Sequence, residues 1–460
     1  MIAALGGLLF GYDTAVISGA VSAIDFNFIA PRGLPETEAN FLSGSVISFA
    51  LLGCIVGGLV AGPISSRFGR RGGLFVAALL FLVSSLGSAY PEIGLGEIGK
   101  MGPDALTPFI VYRFFGGIGI GLASMLSPMY IAEIAPPSKR GSLVTYQQVA
   151  IVGGMLLVYV VNWQISSAGD HTWQMESGWR YMLASCAIPA GLFVVLLCFV
   201  PETPRWLIMK GREEKANQVL AKLTTPSEAQ VIRSEIQASL HERSDKLLAF
   251  GGLVLVVGIM LSVFQQLVGI NAVLYYGPQM FENMGFKSPH VQTVIIGAAN
   301  VLFTIVALLS VDRWGRKPLL ILGAVMMAVS MIVLGFLFST NNLGAAAVVT
   351  VVFYIAGFAL SWGPVVWVLL AEIFPNSVRS KLMAIAVAAQ WAANWVVSTS
   401  FKVLDGNTAL NAQFNHGFAY WIYGICSIAA ALFVWKFVPE TKGRTLEDIQ
   451  HLWKPVEKKS

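Results

Sequence analysis

The stretches GPISSRFGRR at residues 62–71 and LSVDRWGRKP at residues 309–318 are two copies of one motif, and they decide the fold. Two more pairs recur in the same order along the chain: AEIAPPSKRG (132–141) with AEIFPNSVRS (371–380), and PETPR (201–205) with PETKG (439–443). The separation between matching residues changes only from 246 (Gly69 to Gly315) to 238 (Pro201 to Pro439). Three pairs in register predict a chain made of two halves of the same design.

The composition is typical of an integral membrane protein. Of the 460 residues, 56% are hydrophobic and only 12% are charged, whereas soluble domains carry about 25% charged residues. Apolar segments of about 20 residues, long enough to cross a bilayer, alternate with polar breaks. The sequence predicts twelve transmembrane helices in two sets of six, at residues 2–24, 41–66, 72–90, 107–134, 143–166 and 179–200, and at residues 247–283, 289–311, 318–339, 343–374, 382–404 and 417–438.

The predicted fold is an all-α membrane protein with two six-helix bundles, residues 1–201 and 247–440. Between them, residues 202–246 are charged and carry leucines at helical spacing, which indicates a water-exposed amphipathic helical segment. Residues 441–460 form a tail, and Gly363–Pro364 is the best hinge candidate within the spans. Parallel six-helix repeats related by an axis along the membrane normal are typical of the major facilitator fold, which we expect here by analogy.

Basic residues predict the orientation of the chain in the membrane. Ten of them lie in loops that face one side of the membrane, and the alternate loops, which face the other side, carry mostly Asp and Glu. By the positive-inside rule, the basic loops, both termini and residues 202–246 are expected to be cytoplasmic. The ten residues are Arg67, Arg70, Arg71, Lys139, Arg140, Arg313, Arg316, Lys317, Arg379 and Lys381.

Several classes of function are disfavoured by the sequence. The net charge of +5 is spread over short clusters without a continuous basic stripe, so we expect no nucleic-acid partner. The four cysteines lie inside apolar spans and the five histidines show no metal-ligand spacing, so we expect no metal site and no cofactor. The absence of a nucleophile–base pair or a phosphate loop argues against an enzyme.

Asp13 is the only charged residue in the apolar run from Ile2 to Ile24. A carboxylate near the bilayer centre costs about 2.5–3.5 kcal/mol even on insertion-based scales, so it needs a partner or a proton. Arg113, the only basic residue well inside the fourth span, is the candidate partner. A movable pair of this kind can carry a proton, because the arginine favours the charged carboxylate and desolvation disfavours it. The alternative is a static structural ion pair.

Uncharged polar residues and tryptophans form a second set, mostly near the centres of spans. Amides donate to and accept from hydroxyls, and aromatic faces pack on the C–H side of a sugar ring. The set therefore predicts a site for an uncharged ligand with many hydroxyls, although Gln and Asn can also hold helices together. Its members are Gln148, Gln265, Gln266, Asn271, Tyr275, Tyr276, Trp362, Trp367, Gln390 and Trp391.

The duplicated motifs combine basic loops with glutamates. Such pairs can latch the two bundles together on the cytoplasmic side, since networks of ion pairs contribute more than the 0–1 kcal/mol of a lone exposed pair. The alternative is charge that only sets the topology. The latch candidates are Glu133, Glu202, Glu372 and Glu440, with Arg67, Arg140, Arg313, Arg316 and Arg379.

The motifs RFGRR, PETPR, QQLVGIN, DRWGRKP and PETKG resemble the sugar porter family of the major facilitator superfamily over essentially the whole chain, and most closely the bacterial D-xylose:proton symporters. The resemblance implies a multi-pass protein of the bacterial inner membrane that imports a small sugar with protons and functions as a monomer. It implies that Asp13 carries the proton, with Arg113 as its partner. It also implies that the sugar hydroxyls are bound by Gln148, Gln265, Gln266, Asn271, Trp367 and Gln390, that Asn300 and Trp391 line the same cavity, and that Phe10, Tyr275 and Tyr276 lie around it.

The chain departs from the xylose symporters at two positions that bear on function. Met155 stands where they have a glutamine on the fifth span, and Cys186 where they have a glutamate on the sixth. The first change bears on sugar preference and the second removes a carboxylate that assists coupling. An uncoupled facilitative transporter is therefore the alternative within transport, and a membrane sugar sensor is a third, less favoured hypothesis.

Overall fold

The computed structural model describes residues 4–135, 140–241, 250–375 and 378–443. Over these residues it is helical, with no β-strand. The α-helices, in chain order, are α1 Ala4–Val16, α2 Val21–Ile24, α3 Glu36–Ala89, α4 Leu106–Ile134, α5 Arg140–Ser166, α6 His171–Trp173, α7 Trp179–Ser185, α8 Ala187–Leu197, α9 Pro204–Met209, α10 Glu213–Leu223, α11 Pro226–His241, α12 Gly252–Leu267, α13 Ile270–Tyr275, α14 Gly277–Asn283, α15 Pro289–Trp314, α16 Arg316–Ser339, α17 Ala345–Leu360, α18 Trp362–Ile373, α19 Arg379–Asp405, α20 Thr408–Phe414 and α21 Gly417–Phe437.

The described helices account for twelve membrane crossings. Ten helical segments are long and apolar enough to cross a bilayer, and a pair bent by 56° at the N-terminus, Ala4–Gly19 with Val21–Arg32, supplies an eleventh. Helix α3 supplies the twelfth because its 54 residues extend over about 80 Å at 1.5 Å per residue, more than twice the hydrocarbon thickness. Gly69, at φ 88° and ψ 172°, breaks α3 within the first motif. The all-α architecture is confirmed.

Two later spans are interrupted near their middle. Gly269 adopts a left-handed conformation (φ 92°) between α12 and α13. The tenth span breaks at Ser361, between α17 and α18, two residues before the predicted hinge. Pro364 explains this position, because its ring would clash with the carbonyl of Leu360 in a continuous helix, whereas the first turn of a new helix tolerates proline.

The two halves pack internally and then against each other in a symmetric way. The N-terminal half is built by α3 on α4 and α1 on α5, and the C-terminal half by α16 on α21 and α12 on α19. The halves meet where α3 packs on α19 and where α5 packs on α15. The first contact joins span 2 to span 11, and the second joins span 5 to span 8. Because span 2 corresponds to span 8 and span 5 to span 11, exchanging the two halves converts one contact into the other. The pattern is that of a pseudo-two-fold axis between parallel repeats.

Among the described residues, the polar contacts between the halves lie toward one end of the molecule. We call the end that carries Arg70 and Arg316 the motif end, and the other end the opposite end. At the opposite end the Glu36 carboxylate accepts a 2.8 Å hydrogen bond from Thr408 Oγ1, and Asp25 is 2.8 Å from Lys402. Nearer the middle, Tyr159 donates to the Leu274 carbonyl oxygen at 3.1 Å. The bundles are thus joined at the opposite end.

Helices α9 to α11 occupy the segment between the halves. A small cluster of Trp206, Leu207, Ile208 and Ala216 is buried there, with Ile236 packed against it. Trp206 Nε1 donates to the Ser66 carbonyl oxygen at 3.1 Å, which attaches the segment to the N-terminal half.

Candidate sugar and proton site

Asp13 and Arg113 lie in contact inside the N-terminal half. Asp13 Oδ1 is 3.3 Å from Arg113 Nη1, and the two side chains are 1% and 3% exposed. Asp13 Oδ2 and Arg113 Nε have no hydrogen-bond partner among the described residues. The pair is shielded from bulk solvent but held by a single long contact. Fully buried ion pairs are normally held by more hydrogen bonds than this, so this one is poorly satisfied.

The two positions that depart from the xylose symporters are both buried. Cys186 lies between α7 and α8, fully buried, with its Sγ 4.0 Å from Asp13 Oδ1. It therefore occupies space beside the ion pair, where a thiol offers only a weak hydrogen bond. Met155 is 8% exposed on α5.

Three amides of the seventh span form a chain of hydrogen bonds. Asn271 Nδ2 donates to Gln266 Oε1 at 2.6 Å, and Gln266 Nε2 donates to Gln265 Oε1 at 3.3 Å. Gln265 Nε2 then donates to the carbonyl oxygen of Trp362 at 2.7 Å. The break at Ser361 places this carbonyl at the start of α18, so the interruptions of the seventh and tenth spans are joined by the amide chain.

Gln390 and Trp391 present polar atoms that no described protein group satisfies. Both side chains are buried on α19, and neither Gln390 Oε1 nor Trp391 Nε1 has a partner among the described residues. The Trp391 ring lies 5.7 Å from the Phe10 ring of the other half, centroid to centroid. An aromatic pair with free polar atoms between the two halves is suited to a hydroxyl-rich ligand.

The tyrosines have different roles in the structure. Tyr275 OH accepts a 3.3 Å hydrogen bond from Asn394 Nδ2. Tyr276 OH donates to the Ser398 carbonyl oxygen at 2.9 Å, and its ring packs 5.0 Å from Phe401. The proton of the Tyr276 hydroxyl is therefore already used by α19, and the presence of Tyr276 around the sugar stays a prediction.

The remaining predicted residues are placed without mutual hydrogen bonds. Gln148 and Trp367 are partly buried on α5 and α18, and Asn300 is 4% exposed on α15. Trp362 belongs to the core, since its Nε1 donates to the Leu320 carbonyl oxygen at 2.9 Å.

Three functional candidates were missed from the sequence. Asn394 links Tyr275 to Ser398 on the inner face of α19. Asp25 and Lys402 join the two halves at the opposite end, and Lys402 also donates to Gln279 Oε1 at 3.0 Å. Asn394 lies four residues after Gln390, on the same helical face, and this spacing could have identified it. No sequence signal pairs Asp25 with Lys402.

In the N-terminal half, the arginine that pairs with a motif glutamate is not the predicted one. Arg70 binds Glu133 through Nε at 3.0 Å and Nη2 at 2.8 Å. Glu202 accepts from the backbone N–H groups of Arg70 and Arg71 at 3.0 and 3.2 Å. Arg67, the predicted latch residue, is exposed, and its guanidinium lies over the Phe68 ring. The break at Gly69 turns Arg70 inward instead.

The cluster of the C-terminal half repeats this arrangement. Arg316 binds Glu372 at 2.8 Å, and Glu440 accepts from the backbone N–H groups of Arg316 and Lys317 at 3.1 and 3.0 Å. Burial raises the pKa of Glu440. Hydrogen bonds from four backbone N–H groups lower this pKa by a larger amount, so the net shift is downward. Arg313 is exposed, like its counterpart Arg67.

In this conformation the described pairs do not join the two bundles, so the predicted latch stays a prediction. Arg70–Glu133 lies wholly in the N-terminal half, and Arg316–Glu372 wholly in the C-terminal half. Arg379 donates to the Phe374 carbonyl oxygen at 3.1 Å within its own half. The side chain of Arg140 lies outside the described residues. Within each half, the cluster fixes the break between two consecutive helices.

These features define a class of protein, a membrane transporter of two six-helix bundles with a polar site between them. The family described as "Sugar (and other) transporter" matches residues 1–453. The chain belongs to this family.

Comparison with individual proteins refines the relationship. The chain is 52% identical to the D-xylose-proton symporter of Escherichia coli K12, an alignment that covers 100% of this chain and 96% of that protein. It is 47% identical to the glucose facilitated diffusion protein of Zymomonas mobilis, with 99% and 96% covered. The inward-open structure of the Escherichia coli xylose transporter superposes with a TM-score of 0.89 at 51% identity, covering 98% of each chain. These relatives are transporters, and the structure of the xylose transporter has the same two six-helix halves.

Proposed function

We propose that the protein is a proton-coupled monosaccharide importer that acts on D-xylose or a related pentose or hexose. The observation that carries the proposal is the buried Asp13–Arg113 contact, in which Oδ2 of the carboxylate is free to take a proton. The D-xylose-proton symporter of Escherichia coli, 52% identical, supports the same assignment.

In the proposed cycle, Asp13 takes up a proton from outside and releases Arg113. Sugar binds between Gln390 and Trp391 on one side and the amide chain of the seventh span on the other. The bundles then rock, and the proton and sugar leave inward. A ligand drives such a change only through different affinities for the two states. The seventh span supplies that difference, since its amides are tied to the break at Ser361.

We infer that the motif end is cytoplasmic and that the structure is an inward-facing state. Ten basic residues in the loops of that end support the orientation. The contacts at the opposite end and the TM-score of 0.89 to an inward-open transporter support the conformation. Both termini are then cytoplasmic in a bacterial inner membrane, with helices α9 to α11 on the same side. We take the functional unit to be the monomer.

Replacing Asp13 by asparagine tests the coupling. The variant should exchange labelled sugar across vesicles at a rate similar to that of the wild type, but it should fail to accumulate sugar against a gradient, because an amide carries no titratable proton. Asp104→Asn is the matched control, since Asp104 is exposed in the short 3-10 helix Gly102–Ala105. Full proton-driven accumulation by Asp13→Asn would eliminate Asp13 as the proton carrier.

A second candidate is an uncoupled facilitative transporter. It is favoured by Cys186, which places a thiol rather than a second carboxylate 4.0 Å from Asp13, and by the 47% identity to a glucose facilitated diffusion protein. Addition of sugar to lightly buffered cells distinguishes the two functions. A symporter makes the medium more alkaline, whereas a facilitator leaves the pH unchanged.

A further inference from the structure

Ser84 of α3 is a buried serine whose hydroxyl does not bond to its own helix. It is fully buried, and its Oγ has no hydrogen-bond partner among the described residues. Buried serines in helices normally donate to a carbonyl oxygen one turn earlier. Ser85 does so with Leu82 at 3.0 Å, and Ser330 with Met326 at 2.8 Å. Ser65, Ser88 and Ser127 also lack a described partner, so what distinguishes Ser84 is its position beside Asp13.

A glycine separates Ser84 from Asp13. A Cβ atom at Gly116 of α4 would lie 2.3 Å from Ser84 Oγ and 3.6 Å from Asp13 Oδ2. The two oxygens are thus no further apart than the sum of these distances, and both lie beside Gly116. Neither atom has a described protein partner. Two hydrogen bonds of about 2.8 Å can span such a gap through one water molecule.

We propose that Ser84, through one water molecule beside Gly116, is a positioning residue that sets the proton affinity of Asp13. This inference rests on the proposed proton coupling and deepens it. A hydroxyl both donates and accepts, so the bridge serves both states of the carboxyl group. It donates toward Oδ2 when Asp13 is ionised, and it accepts from the O–H when Asp13 is protonated.

The bridge is directed at the unpaired oxygen. Asp13 Oδ1 is contacted by Arg113 at 3.3 Å and by the Cys186 thiol at 4.0 Å, which leaves Oδ2 for the bridge. The other titratable groups that face the site from the packed elements are Cys54 of α3 and Tyr275 of α13. On α1 and α5, the hydroxyls of Tyr12 and Tyr159 are already bonded, to Ser185 at 2.8 Å and to the Leu274 carbonyl oxygen at 3.1 Å.

The direction of the effect follows from the strength of the two hydrogen bonds. A hydrogen bond to an ionised carboxylate is roughly twice as strong as one to a neutral group. Loss of the bridge therefore favours the protonated form, and Asp13 keeps its proton to a higher pH. A charge-assisted hydrogen bond of ordinary strength corresponds to a shift of about one pH unit or more.

Ser84→Ala tests the proposal, with Ser85→Ala as the matched control on the same helix. The infrared absorption of the protonated carboxyl group is titrated in the purified full-length protein, and the Asp13→Asn variant identifies the band. We expect the midpoint of Ser84→Ala to lie about one pH unit above that of the wild type, and that of Ser85→Ala to be unchanged. Ser84→Cys keeps the size and weakens the donor, so its midpoint should fall in between.

The proposal is overturned if the titration midpoints of Ser84→Ala and Ser84→Cys are equal to that of Ser85→Ala. The test is separate from that of transport. If sugar causes no alkalinisation by the wild type, the proposed symport fails, yet the infrared titration still shows whether Ser84 acts on Asp13. If Ser84→Ala does not fold, Ser84→Cys alone decides, since any upward shift supports the bridge and none refutes it.

Discussion

Replacement of Lys402 by methionine should shift the protein away from the conformation that is closed at the opposite end. Lys402 of the C-terminal half lies 2.8 Å from Asp25 of the N-terminal half and donates to Gln279 at 3.0 Å. Methionine has a similar length but makes neither contact. The contact with Asp25 joins the two halves, so its loss should destabilise this closed state relative to states in which the halves have separated there.

The magnitude follows from the burial of the two side chains. Breaking a fully buried ion pair costs about 3–5 kcal/mol, whereas an exposed pair is worth about 0–1 kcal/mol. The Lys402 side chain is 9% exposed and that of Asp25 is 27% exposed, so solvent screens the pair in part. We expect about 2 kcal/mol, which is about a 30-fold change in the equilibrium. A population that is about 97% closed would then fall to about one half.

Spin labels at positions 38 and 409 measure the opening, because Glu38 and Ala409 are exposed on different halves at this end. Double electron–electron resonance should show a longer distance component in Lys402→Met. Lys100→Met is the control, since Lys100 pairs with Glu97 within one exposed loop. Distance distributions identical in Lys402→Met, Lys100→Met and the wild type would refute the reasoning.

Three further outcomes are expected. The hydrogen bond to Asp405 raises the pKa of His416, against a smaller lowering by burial, so this contact stabilises the fold below about pH 6.5 and is lost as the pH rises through the raised pKa. His416→Gln should therefore lower the melting temperature at pH 6 more than at pH 9. Arg70→Ala should cost about 2–3 kcal/mol of stability and Arg67→Ala less than about 0.5 kcal/mol, compared by thermal unfolding in detergent. Tyr276→Phe should lower stability by about 1 kcal/mol and leave sugar affinity, measured by calorimetry, within about twofold; a large loss of affinity would place its hydroxyl in the sugar site after all.

The repeated motifs were sufficient to predict the two-bundle fold, but not which arginine of each motif pairs. RFGRR offers Arg67, Arg70 and Arg71 at similar spacing, and the choice depends on the direction of the chain at Gly69. That glycine adopts φ 88° and ψ 172° and sends Arg70 toward Glu133. Helical spacing cannot predict such a break, because it assumes that the helix continues.

The position of the break in the tenth span illustrates a similar limit. Gly363–Pro364 predicted a hinge, and the helix ends at Leu360 and restarts at Trp362. Proline acts on the carbonyl four residues earlier, so its effect appears before its own position. Likewise, Tyr276 follows Tyr275 in sequence, yet only Tyr275 bonds to the side chain of Asn394, while Tyr276 bonds to the backbone of Ser398.

The sequence by itself determined the number of membrane helices, the division into two halves and the presence of a carboxylate that needs a partner. Burial of apolar segments and the cost of charge in lipid are properties of composition and order along the chain. Only the tertiary structure decided which groups meet across helices: Cys186 beside Asp13, Ser84 and Asp13 Oδ2 beside Gly116, and Lys402 bound to Asp25 of the other half. These contacts depend on helix rotation and on the closeness that a glycine permits, and residues so far apart in sequence carry no local signal of either.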